Sequence, residues 1–502
     1  MSHGPVSSTD LARRFGFTEE RARQLASSLL SGTGIAQGHF RPTGMPEADS
    51  LQWCYRPNLE RIHRQTVSIL RKEISPSSPE EFCRFLLHWQ HVHPATRCTR
   101  PEEAEECLSQ LQGLPLHADV WERDILRGRM GETQTMHEMT RRGDLLWAGA
   151  GAGKMFFFLR GEGSTFLQSP LVDAEELSEG AARILTLLHR HGASFLSDLR
   201  AGDRLSLAAL QAGIAELFWT GWITGDVFRE LTSLKRTGKL PEGMPIERTE
   251  LLLSRPPGRG NLLSRTRRAI RQAPGWSGRW SLLRTPGTMG PELSEEEKAV
   301  QQARQLLDRY GIVPRECAQH EDLLPWPVIA AELQRMEMRG EIRRGYFVEG
   351  LSGMQYAHPL AVEELRRLKG IPKREILLLN ACDPAVSYSA GGLPGALRHS
   401  GGRLARLPGN FIALEEGTPL LWIENEGSRI WTLGRPESEA VLSALRQLVA
   451  LMHVGPPLKG IHSITIEQWD GQRPGATSWA TLLRQCGFHG AANQTMRLDQ
   501  YS

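Results

Sequence analysis

Apolar residues recur at helical spacing in several separate blocks along the chain. Each block is followed by glycines and a short run of strand character. Over residues 8–30, "STDLARRFGFTEERARQLASSLL", the spacing predicts two short helices with a turn at Gly16. Gly32 and Gly34 stop the second helix, and "SGTGIAQGHFRP" opens a short strand. Residues 179–218 repeat the plan and lead into "WTGWITGDVF". Residues 297–339 repeat it again and end in "EIRRGYFVEGLSGMQYAHP". Helical residues 80–142 likewise precede "GDLLWAGAGAGKMFFFLR". Helices followed by a small β hairpin, repeated along one chain, predict tandem winged-helix domains.

The glycine-rich part of that last segment invites a different reading. "LLWAGAGAGKMFFFLR" at 145–160 looks like a phosphate-binding loop, which requires G-x-x-x-x-G-K-[ST]. With Gly153 and Lys154 as its G-K, the first glycine falls on Ala148. The magnesium-binding hydroxyl falls on Met155, which has none. Phe156, Phe157 and Phe158 then favour strand over helix. The segment therefore reads as strand, glycine tip, strand, with the glycines supplying positive φ at the tip. Lys154 stands where a wing touches a phosphate; a purely structural wing is the rival reading. The chain alone is not expected to hydrolyse ATP.

Past residue 371 the pattern changes. Apolar runs alternate with Gly-, Pro- and Asn-rich turns, as in "LARLPGNFIALEEGTPLLWIENEGSRIWTLG", which predicts a small β-barrel or sheet. From residue 436 a helix, a strand, a second helix and a last strand predict a C-terminal α+β cap. The expected organisation is mixed α/β: winged helix 1–54; a helical and winged-helix unit 55–170 with its wing at 145–160; winged helix 171–250; basic linker 251–290; winged helix 291–370; β-barrel 371–434; α+β domain 435–502.

At 502 residues the chain is too long for one core. It contains no apolar run long enough to span a membrane and no secretion signal at its start. Its seven cysteines are odd in number and form no C-x-x-C, which points to neither a disulfide framework nor a zinc knuckle. A reducing, cytoplasmic location follows as an expectation, with no metal and no cofactor. The net charge of +3 hides an uneven distribution. Residues 255–284 carry eight arginines and no acid. Arg265, Arg267, Arg268, Arg271 and Arg279 are candidate phosphate contacts, and Trp276 and Trp280 among them can stack on bases. A solvated basic linker is the alternative.

Four stretches resemble the C-terminal region of the bacterial large helicase-related (Lhr) family: "YRPNLERIHRQTVSILRKEISPSSPEEFCRFLLHWQHV" at 55–92, "LSQLQGLPLHADVWERDIL" at 108–126, "GRWSLL" at 278–283 and "FVEGLSGMQYAHPLAVEEL" at 347–365. In that family a DNA-translocating ATPase precedes this region; here no complete Walker A and no D-E-x-H box occur. The region resembles in turn the winged-helix DNA glycosylases of the AlkZ/YcaQ type, whose Gln-x-Asp or Gln-x-Gln motif precedes a proline. "LQGLP" aligns Gln112 and Pro115 with it, but Leu114 stands in place of the acid or amide and can do no acid–base chemistry. The resemblance implies uracil removal in some members through an aspartate near the chain end, and Asp499 matches that place. Gln112 and Asp499 are thus the catalytic candidates. Trp121, beside Glu122, is a further DNA-contact candidate, against the reading of a core tryptophan. His88, His91 and His93 read as packing and capping residues rather than metal ligands. Asp383-Pro384 is expected to start a turn.

Two functions follow. One is a DNA-repair module, possessing glycosylase activity on uracil or damaged bases. The other is a non-catalytic DNA-binding and assembly subunit of a separately encoded helicase. The implied partners are DNA, single-stranded or damaged duplex, a helicase motor subunit and further copies of the chain.

Overall fold

The structure, a computed structural model, describes residues 5–30, 34–40, 50–62, 76–234, 278–370, 375–389, 398–451 and 463–499, apart from 132, 152, 168, 204, 320, 400 and 401. The chain divides into two units, 1–76 and 77–502.

In the first unit, β1 (Val6–Ser7) leads into helices Ser8–Phe15 and Glu19–Ser28, then β2 (Ile35–Gly38) and β3 (Gln52–Tyr55). The sheet order is β1-β3-β2, all antiparallel. Ser7 caps the first helix by accepting from the Asp10 amide, and Asp10 reciprocates. Gly16, at φ 71°, ends that helix as the periodicity predicts. Ala22 and Ala26, one turn apart, are buried, as are Trp53 and Cys54 of β3.

The second unit repeats the same arrangement three times, each repeat opening with a helix. In the first repeat, helix Pro101–Leu111 precedes β4 (Leu116–His117). Helical residues 118–130 and helix Gln134–Arg142 follow, then β5 (Leu145–Gly149) and β6 (Lys154–Leu159). In the next, helix Glu179–His191 precedes β7 (Ser194–Phe195). Helices Leu196–Asp203 and Leu207–Trp219 lead to β8 (Ile223–Gly225) and β9 (Arg279–Leu282). In the last, helix Glu295–Tyr310 precedes β10 (Ile312–Val313). Helices Arg315–Ala318 and Trp326–Met338 lead to β11 (Arg343–Gly345) and β12 (Gln355–Ala357). Every sheet is antiparallel, with the last strand in the middle: β4-β6-β5, β7-β9-β8 and β10-β12-β11. This is the winged-helix order. The segment that mimics a phosphate loop is the β5–β6 hairpin, in register from Leu145↔Leu159 to Gly149↔Met155. Gly151 and Gly153 at its tip adopt φ 69° and 74°, which side chains rarely tolerate.

Two boundaries differ from expectation. Of the expected linker 251–290, only residues 278–290 are described, and they carry a strand of a winged helix. That strand, Arg279–Leu282, is the central one of the third winged helix, pairing Ile223↔Leu282 and Ser194↔Trp280. The basic stretch therefore interrupts a wing. Its arginines spoil the apolar alternation around "GRWSLL", so the strand cannot be read as part of a unit that starts a hundred residues earlier.

The barrel is an open sheet among the described residues. β13 (Ile376–Asn380), β16 (Phe411–Glu415), β17 (Thr418–Glu424) and β18 (Arg429–Thr432) pair antiparallel in that order, and β20 (Gln468–Trp469) adds in parallel to β18. A small hairpin, β14 (Arg398–His399) and β15 (Gly402–Arg403), lies between β13 and β16 in sequence. Helix Ser438–Ala450 packs Val441, Ala444, Leu445 and Leu448 on the sheet. A last sheet, β19-β22-β21, joins Ser463–Ile466, Met496–Asp499 and His489–Gly490. The sheet and the expected α+β domain thus share one core, and a cut at 435 would run through it.

Two buried arginines join these parts. Arg129 donates to both carboxylate oxygens of Asp383 at 2.8 Å, and to Gln90 Oε1 at 3.1 Å. Arg129 and Asp383 side chains are 0% and 2% exposed. Arg309 pairs with Glu321 and donates to the carbonyls of Gln110 and Gln112. Gln90 Nε2 donates to the Arg309 carbonyl at 3.0 Å, linking the two networks. The Gly417 turn of β16–β17 sits so close to helix Pro79–Trp89 that a Cβ there would collide with the Glu80 carbonyl.

Removing one member of a buried pair leaves an uncompensated charge, at a cost of about 3–5 kcal/mol. Arg129→Met and Asp383→Leu are each expected to destabilise the protein by that order in urea denaturation. The double variant should lose less than the sum, and additive losses would exclude the pairing.

Candidate nucleic-acid interface

The helix that precedes each wing hairpin has one face committed to the core and one left outward. In Glu19–Ser28 the inward Ala22 and Ala26 leave Arg21, Arg23 and Gln24 exposed. In Gln134–Arg142, Met136, Met139 and Thr140 are buried, and Arg141 and Arg142 are exposed in the last turn. Arg142 lies 2.9 Å from Asp144. Helix Trp326–Met338 exposes Arg335, but Glu332 takes it at 2.8 Å and also takes Arg339 at 3.0 Å. Helix Leu207–Trp219 contains no cation at all. The equivalent helices are therefore electrostatically unequal. The first repeat along the chain offers outward Arg21 and Arg23, the second Arg141 beside an Arg142 already paired with Asp144, the third none, and the fourth arginines already neutralised.

The wings show a similar division. Lys154 is exposed at the start of β6, opposite His117 in the register. Arg279 is half-exposed, but Asp226 holds it: the carboxylate accepts from the Arg279 backbone amide at 2.7 Å and from its Nε at 3.1 Å. Glu230 accepts from the Gly278 amide at 2.8 Å. Two acids thus close the base of the interrupted wing. Arg265, Arg267, Arg268, Arg271 and Trp276 lie outside the described residues.

Trp121 and Trp280 do not offer a face for base stacking. Both are fully buried. Trp121 donates from Nε1 to the Met155 carbonyl at 2.8 Å and meets Trp147 edge-on, with ring centres 5.8 Å apart. Trp280 lies in the central strand β9 and packs inward beside Gly225. An apolar ring flanked by arginines looks like a stacking platform in sequence, but alternation along β9 turns it into the core.

Gln112 is buried too. Its Oε1 accepts from the Leu159 amide at 3.2 Å, and its carbonyl accepts from Arg309. The amide is engaged in holding β6, and Leu114 is a core residue at 1% exposure. The Oε1 of Gln112 is thus committed to the β6 backbone. Asp499 lies elsewhere, at the end of β22 in the C-terminal sheet. Arg497 Nε and Nη2 donate to it at 2.8–3.1 Å, and His489 Nε2 is 4.0 Å away. The Arg497 guanidinium holds its carboxyl below the usual range, so Asp499 is ionised at neutral pH. The two catalytic candidates thus lie in different parts of the fold: Gln112 follows helix Pro101–Leu111, and Asp499 ends β22.

Of the histidines, His88 stacks on His93 with ring centres 4.0 Å apart, and burial pushes His88 down to about 4. His93 Nδ1 accepts from the Ala95 amide at 3.2 Å, capping a short helical turn. With Glu416 these are the donor groups among the described residues close enough together for a cation. However, a lone pair spent at Nδ1 puts the His93 proton on Nε2, facing Glu416 at 3.6 Å. Arg84 already lies 3.4 Å from the same carboxylate. The cluster fits packing and capping better than metal binding.

Sequence reading missed the buried acids and arginines. One signal was available. Arg309 falls on the face of its helix that carries Gln302, Leu306 and Tyr310, where a charge must find a partner.

Family models for the winged-helix domain of large helicase-related proteins match residues 77–159 and 292–375. Over 496 residues the chain is 29% identical to a Mycolicibacterium smegmatis protein described as Lhr helicase/probable uracil glycosylase, covering 94% of this chain and 31% of that protein. It is 26% identical over 507 residues to the Escherichia coli Lhr helicase/uracil glycosylase, covering 93% and 32%. The chain therefore spans about a third of the length of the curated relatives it matches. Streptomyces sahachiroi DNA glycosylase AlkZ aligns in structure over 75% of this chain and 96% of its own, at 13% identity and a TM-score of 0.37.

Truncating a buried tryptophan costs about 3–5 kcal/mol, whereas exposed substitutions stay within about 0.5 kcal/mol. Chemical denaturation should therefore place Trp121→Ala in the first class and Arg141→Ala in the second. A Trp121→Ala protein as stable as the parent would contradict the buried assignment.

Proposed function

From a chain that carries winged-helix domains of the large helicase-related family, we propose a DNA-binding module that excises uracil from DNA. The observation that carries the DNA-binding part is the repeated winged-helix order with outward arginines on the first two helices and Lys154 at a wing. The basic insert between β8 and β9 supports it, because it emerges where a wing reaches a phosphate. The excision part rests on the names of the two relatives and on Asp499.

Cleavage of the bond between C1′ and the base leaves positive charge on the sugar and negative charge on the leaving base. Water then adds to C1′, and its proton leaves to a base. An ionised carboxylate both stabilises the cation and accepts that proton. Asp499 is ionised and partly exposed, as this role requires. Gln112 acts at a distance, by fixing β6 against helix Pro101–Leu111.

The second reading is a DNA-binding and assembly subunit without catalysis, serving a separate motor. The two-pronged grip of Arg497 on Asp499 favours it, since that contact competes with a sugar cation for the same oxygens. An oligonucleotide with one uracil, treated with alkali after incubation, separates the readings. On the excision reading the parent protein yields strand cleavage, and Asp499→Asn lowers the rate about 100–10,000-fold with DNA binding intact. No product from the parent would leave the assembly reading.

The insert has its own test. Replacing Arg265, Arg267, Arg268 and Arg271 with alanine should flatten the slope of log affinity against log salt, by about 0.7–0.9 for each phosphate no longer neutralised. An unchanged slope would make the segment a solvated linker within the wing.

A further inference from the structure

A cavity of about 630 Å³ lies where the third and fourth winged helices meet the segment that follows the second. This falls within the range of about 300–1,000 Å³ of small-ligand clefts. Its cationic side chains come from two elements: Arg284, two residues beyond β9, and Lys298, in the helix Glu295–Tyr310. Ser169 adds a hydroxyl, and Leu324 and Pro325 supply apolar wall. Among the described residues none that lines it is acidic, and the glutamates at 295–297 that open the same helix are not in its lining.

Two like charges share this half-buried space. Burial pushes the Arg284 guanidinium down. Burial pushes the Lys298 ammonium down; Asp322 opposes this, and the Arg284 charge adds to it by less. The walls do not adapt freely. Gln302, 2% exposed, donates to the Thr165 carbonyl at 2.8 Å and accepts from the Leu324 amide at 2.8 Å. Its side chain ties the Thr165 and Leu324 backbones to the helix that carries Lys298, which fixes that wall before any ligand arrives. An anion in the cavity would offset the cost of burying both cations. The chain enters this place directly from the basic insert, through Arg279 and β9.

We propose that this cavity binds the phosphate of a single-stranded or extrahelical nucleotide, with Arg284 and Lys298 as the charged contacts and Ser169 as a neutral donor. The apolar wall accepts the sugar or base edge. The source of the nucleotide, a DNA strand, rests on the DNA-binding reading above.

The test uses the full chain with Arg284→Gln, Lys298→Gln and the double substitution, and with Lys298→Arg as the charge-preserving control. Anisotropy with a single-stranded oligonucleotide is measured across salt concentrations, and thymidine 5′-monophosphate and inorganic phosphate are titrated separately by calorimetry. The double variant should flatten the salt slope by about 0.7, the value for the one phosphate of a single strand no longer neutralised. Lys298→Arg should keep the slope, and saturable monophosphate binding should vanish in the double variant. An unfolding midpoint at or above that of the parent shows that these effects do not come from loss of fold. Parent-like slope and affinity in the double variant overturn the cavity as a DNA contact while DNA binding stands. If the parent binds no DNA, that wider reading fails. The monophosphate and phosphate titrations then decide the cavity by themselves: saturation in the parent that disappears in the double variant upholds an anion site, and no saturation in the parent overturns it.

Discussion

Arg129 has no access to water; Asp383 accepts from both its Nη1 and Nη2, and Gln90 accepts from Nη2. Each charge alone would be held out of water at a cost of several kcal/mol. Together, in two-pronged geometry, they are tolerated, and they demand one arrangement of the elements that bear them. Arg129 ends the second helical stretch of a winged helix, Asp383 follows the first strand of the five-stranded sheet, and Gln90 follows helix Pro79–Trp89. Gln90 passes the constraint to the Arg309 carbonyl, and Arg309 to the end of helix Pro101–Leu111. A neighbouring contact reinforces it: Asp124, held by Arg123, accepts from Asn380 at 2.7 Å. Apolar contact between these parts would allow sliding. Directed, buried charge does not.

The repeated units are legible in the sequence because their information is local. Amphipathic spacing, glycine stops and short hairpins lie within about forty residues, and all four winged-helix sheets follow the order they imply. The β5–β6 hairpin is legible for a negative reason too: Ala148 and Met155 cannot do what a phosphate loop needs. What escapes the sequence is long-range. Strand β9 pairs with β7 and β8 across the whole insert, and β20 joins β18 across a helix and β19. Nothing in a short window marks such pairings. Apolar alternation predicts a barrel and an open sheet alike, because closure depends on whether the outer strands meet, which alternation does not encode.

The candidate site is harder to read, for a related reason. The resemblance implies that the polar residues of its motifs face a substrate. Gln112 and Trp121 instead face other parts of the protein, and their polar atoms satisfy backbone groups that would otherwise be buried without partners. Asp383-Pro384 does start a turn, with the Ala385 amide donating to Asp383 Oδ1, but the acid of that turn is also the partner of Arg129. Such double duty is invisible in sequence, since the turn alone accounts for the residue.

The interrupted wing has a consequence for how the protein can change. Asp226 and Glu230 hold the amides of Arg279 and Gly278, so both ends of the insert are fixed to neighbouring strands of one sheet. Loop-closure entropy between fixed ends grows only with the logarithm of chain length, about 0.6 kcal/mol per doubling. Residues can therefore be inserted or deleted between these anchors at little expense to the fold. The arginine content of that stretch is free to drift under selection for whatever it touches, while the core strand it returns to is not.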